Sequence, residues 1–171
     1  MQINRMCAGL FCAVLLLNLC GCVGYQLGSM LPGDIRTVCV PTFVNNTDEP
    51  NIEIETTQAT IREIQQDGSL KIASCEEADA ILEVVLKEYE LEPISYGRDR
   101  ETTAEEYRIW IRASYVFRKL SDDTVVSEAP NVRGQSTTEF SGDLSLMKRT
   151  ELPRTARDLA HEIVERMVEA W

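Results

Sequence analysis

The alternation of apolar and polar residues predicts four strands in this chain. In the clearest one, residues 107–120, apolar side chains take every second position and mostly polar side chains take the positions between. Such a strand is typical of an antiparallel sheet with one face in water. The other strands are predicted at residues 35–43, 80–91 and 124–140. Pro130 interrupts the last of these, and a β-bulge would accommodate it.

A period of 3.6 residues predicts two helices. The first follows Asn51 as its cap, carries Ile54, Ile61 and Ile64 on its apolar face, and ends at Asp67-Gly68. The second begins near Pro153, after a loop at residues 141–148, because proline is tolerated in a first turn. Its apolar stripe consists of Leu152, Ala156, Leu159, Ala160, Ile163, Met167, Val168 and Trp171.

The order of elements is therefore β-α-β-β-β-α. We expect an α+β fold, a two-layer sandwich in which two helices pack on one face of a four-stranded mixed β-sheet.

A short apolar run near the amino terminus predicts a secretory signal peptide. The run at residues 6–19 follows Arg5 and is shorter than the roughly 20 residues that span a bilayer. Leu19-Cys20-Gly21-Cys22 then resembles the lipobox of bacterial lipoproteins, in which the cysteine is lipidated and the chain is cut before it. An ordinary signal peptide with a chance cysteine is one alternative. Lipidation at Cys20 is another, although Asn18-Leu19 before it fits the pattern less well.

This reading divides the chain into three parts. We expect residues 1–21 to be cleaved, residues 22–34 to form a tether lipidated at Cys22, and residues 35–171 to form a single domain, for which the length is sufficient. Cys39 and Cys75 are then the two remaining thiols. A disulfide between them would contribute about 3–4 kcal/mol in the chain-entropy model, and two buried free thiols are the alternative.

The charge balance is acidic, with 17 Lys+Arg against 28 Asp+Glu and a net charge of −11 at pH 7. Such a chain has no electrostatic reason to bind nucleic acid or anionic membrane surfaces. We therefore expect membrane attachment through the covalent lipid on Cys22.

Two basic spots stand out against this acidic background. They are Arg98 with Arg100, in the loop between the two long strands, and Lys148 with Arg149, ahead of the last helix. Local cations can pair with phosphates even on an acidic protein. An ordinary solubilising surface is the alternative.

The residues that chemistry would need are sparse. His161 is the only histidine, so the chain cannot form a metal site from several histidines, and a Ser-His-Asp triad would have a single candidate base. No glycine-rich phosphate loop follows a strand and opens a helix. We expect no enzymatic activity, no metal and no cofactor.

Several stretches resemble the LptE family of lipopolysaccharide-assembly lipoproteins. Residues 22–27 are similar to the family's Cys-Gly-Tyr/Trp-x-Leu opening, with Val23 as an extra residue. Residues 35–43 and 45–47 are similar to its first strand, which often ends in Pro-x-Phe-x-Asn. Residues 78–82 resemble the Ala-Asp-Ala-x-Leu start of its second strand, and residues 104–107 the Ala-Glu-Tyr start of its third.

The resemblance implies a function that the residues do not themselves display. Family members are anchored to the outer membrane, face the periplasm or a barrel lumen, plug the β-barrel LptD and assist its assembly, so that lipopolysaccharide enters the outer leaflet. It also implies lipopolysaccharide contacts at Arg98 or Arg100 and at Lys148 or Arg149. A secretion pilot or a small-ligand carrier in the outer membrane is the alternative function.

Overall fold

The computed structural model describes residues 31, 33–96, 104–140 and 142–169. This part of the chain folds into two helices and a mixed sheet, as the α+β prediction required. The elements are β1 Thr37–Cys39, β2 Val44–Asn45, α1 Ile52–Asp67, β3 Lys71–Ile72, β4 Ala80–Tyr96, β5 Ala104–Lys119, β6 Val125–Glu139 and α2 Leu144–Val168.

The sheet has six strands in its described part, not the four that we predicted. Its order is β3-β1-β4-β5-β6, and β2 pairs with β4 beside β1. The pairs that β1 and β2 make are parallel, and the long pairs β4–β5 and β5–β6 are antiparallel. The two additional strands, β2 and β3, have 2 residues each. We predicted residues 70–73 as a brief extended piece but did not count them as a strand, and we did not predict β2.

A register shift between Leu86 and Glu88 reverses the faces of β4. Before it, Leu82 and Leu86 are buried under the helices, as predicted. After it, Tyr89 packs against the core, on the face that an unbroken alternation from Leu82 and Leu86 would turn away from the helices. β4 also continues to Tyr96, five residues beyond the end predicted at residue 91.

The bulge predicted near Pro130 is confirmed. β6 runs through Pro130, and its pairing with β5 shifts between the pairs Ala113–Val132 and Tyr115–Ala129. A proline is tolerated at this point because β6 is the outer strand of the sheet, and its missing N–H breaks no ladder.

Helix α1 has the predicted bounds, but the Asn51 side chain makes no cap hydrogen bond and the helix turns a partly different face to the core. Gly68, at φ 77°, ends the helix and donates its N–H to the Ile64 carbonyl. Ile64 is buried, but Ile54 is 50% exposed, so its predicted core position is wrong. Thr56 and Thr60 are buried instead, and their hydroxyls donate to carbonyls one turn earlier. This pairing removes the cost of burying them.

Helix α2 begins more than two turns before the predicted position. The Asp143 carboxylate accepts the N–H groups of Ser145 and Leu146, so the helix starts at Leu144 and the loop predicted at residues 141–148 is wrong. Pro153 lies inside the helix, where its ring nitrogen cannot donate to the preceding turn. Trp171 of the predicted stripe lies outside the described residues.

The core lies between the helices and the sheet. Its fully buried side chains include Leu82, Leu86, Ile111, Phe117, Leu159 and Ile163. The two helices meet through Ala59, Ala156 and Ala160, whose small size lets the helix axes approach closely. In the described ranges, neither helix combines the length and apolar character needed to cross a membrane.

Candidate functional site

The residues predicted to contact lipopolysaccharide fall into two groups. Arg98 and Arg100 lie outside the described residues, as does Cys22. Lys148 and Arg149 lie in the second turn of α2, not in a loop before it. The N-terminal cap at Asp143 therefore positions both cations on a regular helix.

Lys148 is engaged with other protein groups. Its Nζ lies 2.6 Å from Glu49 Oε2, in the β2–α1 loop, and 5.5 Å from the centre of the Tyr89 ring. The Lys148 and Glu49 side chains are 30% and 26% exposed. Burial raises the pKa of Tyr89, and the charge of Glu49 raises it further. Lys148 thus connects α2 to the loop before α1, and an anionic ligand would compete with Glu49 for it.

Arg149, the neighbouring cation, is exposed. No carboxylate pairs with it among the described residues. Of the two cations in this turn, Arg149 is therefore the one that can meet a phosphate without breaking an existing ion pair.

Asp79 explains why the Ala78-Asp79-Ala80 stretch sits where β4 begins. Its Oδ2 accepts the backbone N–H groups of Arg36 and Thr37, each at 2.9 Å, and the Thr37 hydroxyl at 2.8 Å. These hydrogen bonds lower the pKa of the Asp79 carboxyl, with the Arg36 N–H as the largest cause. The motif therefore acts as a structural tie between β4 and β1.

Cys39 of β1 and Cys75 lie close together. Their Cα atoms are 4.9 Å apart, and the structure joins the two residues as a disulfide from β1 to the turn after β3. This spacing is inside the range that a disulfide requires. The oxidation state in the mature protein stays a prediction, which a thiol assay tests.

The sheet face opposite the helices, here called the open face, carries rows of charged side chains. Glu88 stands beside Arg112 of β5, and Glu92 beside Arg108. Arg112 bonds Glu88 at 2.7 Å and approaches Glu90 at 3.8 Å. Cross-strand pairs of opposite charge stabilise neighbouring strands modestly, so the Arg112 pairs help to hold β4 against β5.

Trp110 lies at the centre of the open face. Its indole N–H donates to Glu92 at 3.1 Å, and the Arg133 guanidinium lies 4.2 Å from the ring centre. Arg108 approaches the same ring at 5.4 Å. Because the ring is already covered by a cation, it anchors Arg133 in place.

A cleft of about 640 Å³ opens beside β6, between the open face and α2. Arg112, Arg133 and Arg166 bring three cations to its wall, and Asp158 and Glu162 bring two carboxylates. All its lining residues are polar, so it does not suit an apolar small molecule.

Sequence reasoning did not identify the open face and this cleft as a candidate site. The alternating arginines of β5 were visible in the sequence. Arg133, however, joins them only through the register of β6, which depends on the bulge at Pro130.

His161 is part of the contact between the two helices. Its Nδ1 lies 3.0 Å from Glu63 Oε1 of α1, and this hydrogen bond is the main cause that raises the pKa of His161. Within the described ranges, no three His, Cys, Asp or Glu side chains gather in a way that could hold a metal ion.

Comparisons with known proteins place this fold in a family. The family model "LptE: Lipopolysaccharide-assembly" matches residues 35–169. None of the curated proteins matches the chain.

Similar folds occur among solved structures at low sequence identity. Protein XCC0632 of Xanthomonas campestris is 10% identical, covers 82% of this chain and 90% of its own, and has a TM-score of 0.53. The uncharacterized lipoprotein B of Nitrosomonas europaea is 15% identical, with coverages of 83% and 88% and a TM-score of 0.48. Lipoprotein GNA1162 of Neisseria meningitidis is 11% identical, with coverages of 71% and 98% and a TM-score of 0.45. At 10% identity, the likeness to protein XCC0632 concerns the fold alone.

The family match covers most of the chain, including every helix and strand described above. The chain belongs to the LptE family of lipopolysaccharide-assembly proteins.

Proposed function

We propose that this protein is an outer-membrane lipoprotein, anchored through a lipid on Cys22, that plugs and helps assemble an LptD-type β-barrel for the insertion of lipopolysaccharide. The family match over residues 35–169 is the observation that carries this proposal. The barrel partner, the outer-membrane location and the lipid anchor go beyond family membership and belong to the proposal.

The open face is consistent with a plug. The lumen of a large outer-membrane barrel is polar, so a domain that fills it needs a polar surface. On the open face, Arg112 pairs with Glu88 and approaches Glu90, and Arg108 lies over the Trp110 ring. Paired charges can meet a polar wall without leaving a single buried charge uncompensated.

The small-ligand carrier would need a different interior. Such a protein binds its ligand in an apolar pocket, usually between its layers. Here the space between helices and sheet is filled by buried side chains such as Phe117, Leu159 and Ile163. The cleft described beside β6 is lined by charged groups, which favours the barrel partner.

A pull-down from solubilised outer membranes tests the barrel partnership. The tagged full-length protein should retain one β-barrel protein through washes at high salt. A Cys22→Ser variant serves as a control for the anchor, because it should lose the membrane fraction. If no barrel is retained by the wild-type protein, the proposed partnership is wrong.

Lipopolysaccharide contact is a separate part of the proposal. We expect Arg98, Arg100 and Arg149 to contribute more than Lys148, because Glu49 already neutralises Lys148 at 2.6 Å. The charge reversal Arg149→Glu should weaken binding of purified lipopolysaccharide, and so should the double variant Arg98→Glu/Arg100→Glu. Lys71→Glu on β3 is a control for charge reversal, since Lys71 is exposed and no carboxylate pairs with it among the described residues. Equal binding by all variants would refute a role for these residues.

A further inference from the structure

β6 forms one edge of the sheet over a length of 15 residues. It pairs with β5 on one side, and no described strand pairs with it on the other. An outer strand of this length offers a row of backbone donors and acceptors to another extended chain unless something covers them.

One hydrogen bond shows which backbone groups of β6 point outward. The N–H of Gln135 donates to Asp158 Oδ2 of α2 at 2.8 Å, so it points away from β5. In an antiparallel ladder, alternate residues point the same way. The N–H and carbonyl groups of Arg133 and Thr137 therefore also point outward, and the described residues supply no partner for them.

Cations flank this outward row on both faces. Arg133 lies on the open face, held by Trp110, and has no carboxylate within ion-pair distance in the described ranges. Arg157 of α2 lines a groove on the other side of Gln135, and its Nε donates to the Pro153 carbonyl rather than to an acid. Unneutralised arginines are notable in a chain with a net charge of −11, and they favour an anionic occupant.

We infer that the outer edge of β6, together with the cleft beside it, docks an extended acidic segment of a partner polypeptide by strand addition. Main-chain hydrogen bonds to Arg133 and Thr137 give the affinity, and acidic side chains that meet Arg133 and Arg157 give the specificity. Side chains on an added strand would stand about 5 Å from their neighbours on β6, within reach of both guanidinium groups.

Asp158 acts against this docking in the unbound protein. Its carboxylate occupies the Gln135 N–H, the central donor of the edge, and places a negative charge beside the strand. An acidic segment must displace Asp158 from the Gln135 N–H. Asp158 therefore lowers the affinity of the edge for any extended chain, so that only a segment with compensating contacts binds.

A second copy of this chain fits the edge less well. Pairing of two β6 strands about a two-fold axis would bring the Arg133 regions of both copies close together. Like charges facing each other across neighbouring strands are destabilising. The charge pattern therefore selects an acidic segment over self-association.

The experiment uses synthetic peptides and the full-length protein, with binding followed by fluorescence anisotropy. The probe is the eight-residue peptide Glu-Glu-Val-Val-Glu-Glu-Val-Val, which presents carboxylates on both faces of an added strand, and its counterpart with Lys in place of each Glu controls for charge. We expect the acidic peptide to bind, Arg133→Glu to weaken binding by about tenfold, and Lys71→Glu on the opposite edge strand β3 to leave it unchanged.

Two further comparisons separate strand addition from simple charge attraction. Asp158→Asn removes the charge but keeps an acceptor, whereas Asp158→Ala also releases the Gln135 N–H. We expect both to bind the acidic peptide more tightly than the wild type, and Asp158→Ala to bind more tightly than Asp158→Asn. The acidic peptide is also made in two N-methylated versions, one methylated at its odd residues and one at its even residues. Because strand addition uses the N–H groups of only one of these sets, one version should lose binding and the other should keep it.

The other outcomes would overturn the inference. Equal binding of both N-methylated peptides, with displacement by pyrophosphate, would indicate an anion site without strand pairing. A concentration-dependent dimer that Arg133→Glu abolishes would indicate a second copy on this edge. Circular dichroism of each variant shows whether it is folded, and this docking can fail while the barrel pull-down succeeds.

Discussion

At Gly134 of β6, the backbone of α2 packs directly against the sheet. A Cβ added there would lie 2.4 Å from the Leu159 nitrogen, 2.5 Å from its Cβ and 2.6 Å from its Cα. Because two of these atoms belong to the helix backbone, no side-chain rotation can relieve the contact. We therefore predict that Gly134→Ala forces α2 away from β6.

The size of the effect follows from these distances. Ordinary contact between carbon atoms begins near 3.5 Å, so the helix must move by about 1 Å. Overpacking of a tight core costs about 1–3 kcal/mol, and the upper part of that range applies to a backbone contact. Alanine regains about 0.5–1 kcal/mol because it restricts the unfolded chain more than glycine does. The net loss in the free energy of unfolding is about 2 kcal/mol.

Urea denaturation of the purified mature protein measures this loss in the free energy of unfolding. Gly33→Ala is the matched control, since an added Cβ there meets no atom within 4 Å, and its effect should stay within about 0.5 kcal/mol. The reasoning is refuted if Gly134→Ala is as stable as the wild type. A loss of the same size in Gly33→Ala would show that the cost does not arise at the helix contact.

The remaining predictions concern the ties that hold the elements together. Asp79→Ala should lower the melting temperature at neutral pH, and because the pKa of Asp79 is lowered, its advantage over the variant should fade as the pH falls below 3.8. His161→Ala should lower the melting temperature at about pH 5.5 and have little effect at about pH 8.5. The pKa of His161 is raised in the folded protein, so its imidazole stabilises the fold most when it is protonated; an effect that grows with pH would contradict this. A thiol assay on the unfolded, unreduced mature protein should find no reactive Cys39 or Cys75, and Cys75→Ser should cost about 2–4 kcal/mol; two titratable thiols would disprove the pairing. Glu49→Gln should cost no more than about 1 kcal/mol, since the Lys148 pair is partly exposed, and a larger loss in urea denaturation would show that the pair is effectively buried.

The sequence was sufficient for the long strands and their class of fold. The alternation in β5 predicted which of its side chains are buried, because a strand with one wet face repeats every two residues. It also contained a sign of the β4 bulge that the prediction missed. The apolar positions change from even numbers, ending at Leu86, to odd numbers at Tyr89 and Leu91, across the polar pair Lys87-Glu88.

The helices show why other features were harder to predict. Asp143 is a residue type that commonly caps helices, but we placed the start of the helix near Pro153, because proline is common in a first turn. In α1, Thr56 and Thr60 are buried and Ile54 is exposed, contrary to the expectation that Ile54 faces the core. Their hydroxyls are satisfied by the helix backbone itself, which hydropathy does not register.

The position of α2 connects the stability of the fold to the proposed docking surface. Gly134 lets the helix lie close against β6, and this contact brings Asp158 within 2.8 Å of the neighbouring Gln135 N–H. If the helix moved outward by about 1 Å, as expected for an added Cβ, that hydrogen bond would lengthen beyond its useful range. Gly134→Ala should therefore weaken the fold and, at the same time, release the edge donor that Asp158 covers. Tighter binding of the acidic peptide by this less stable variant would be hard to explain unless the helix controls access to the edge.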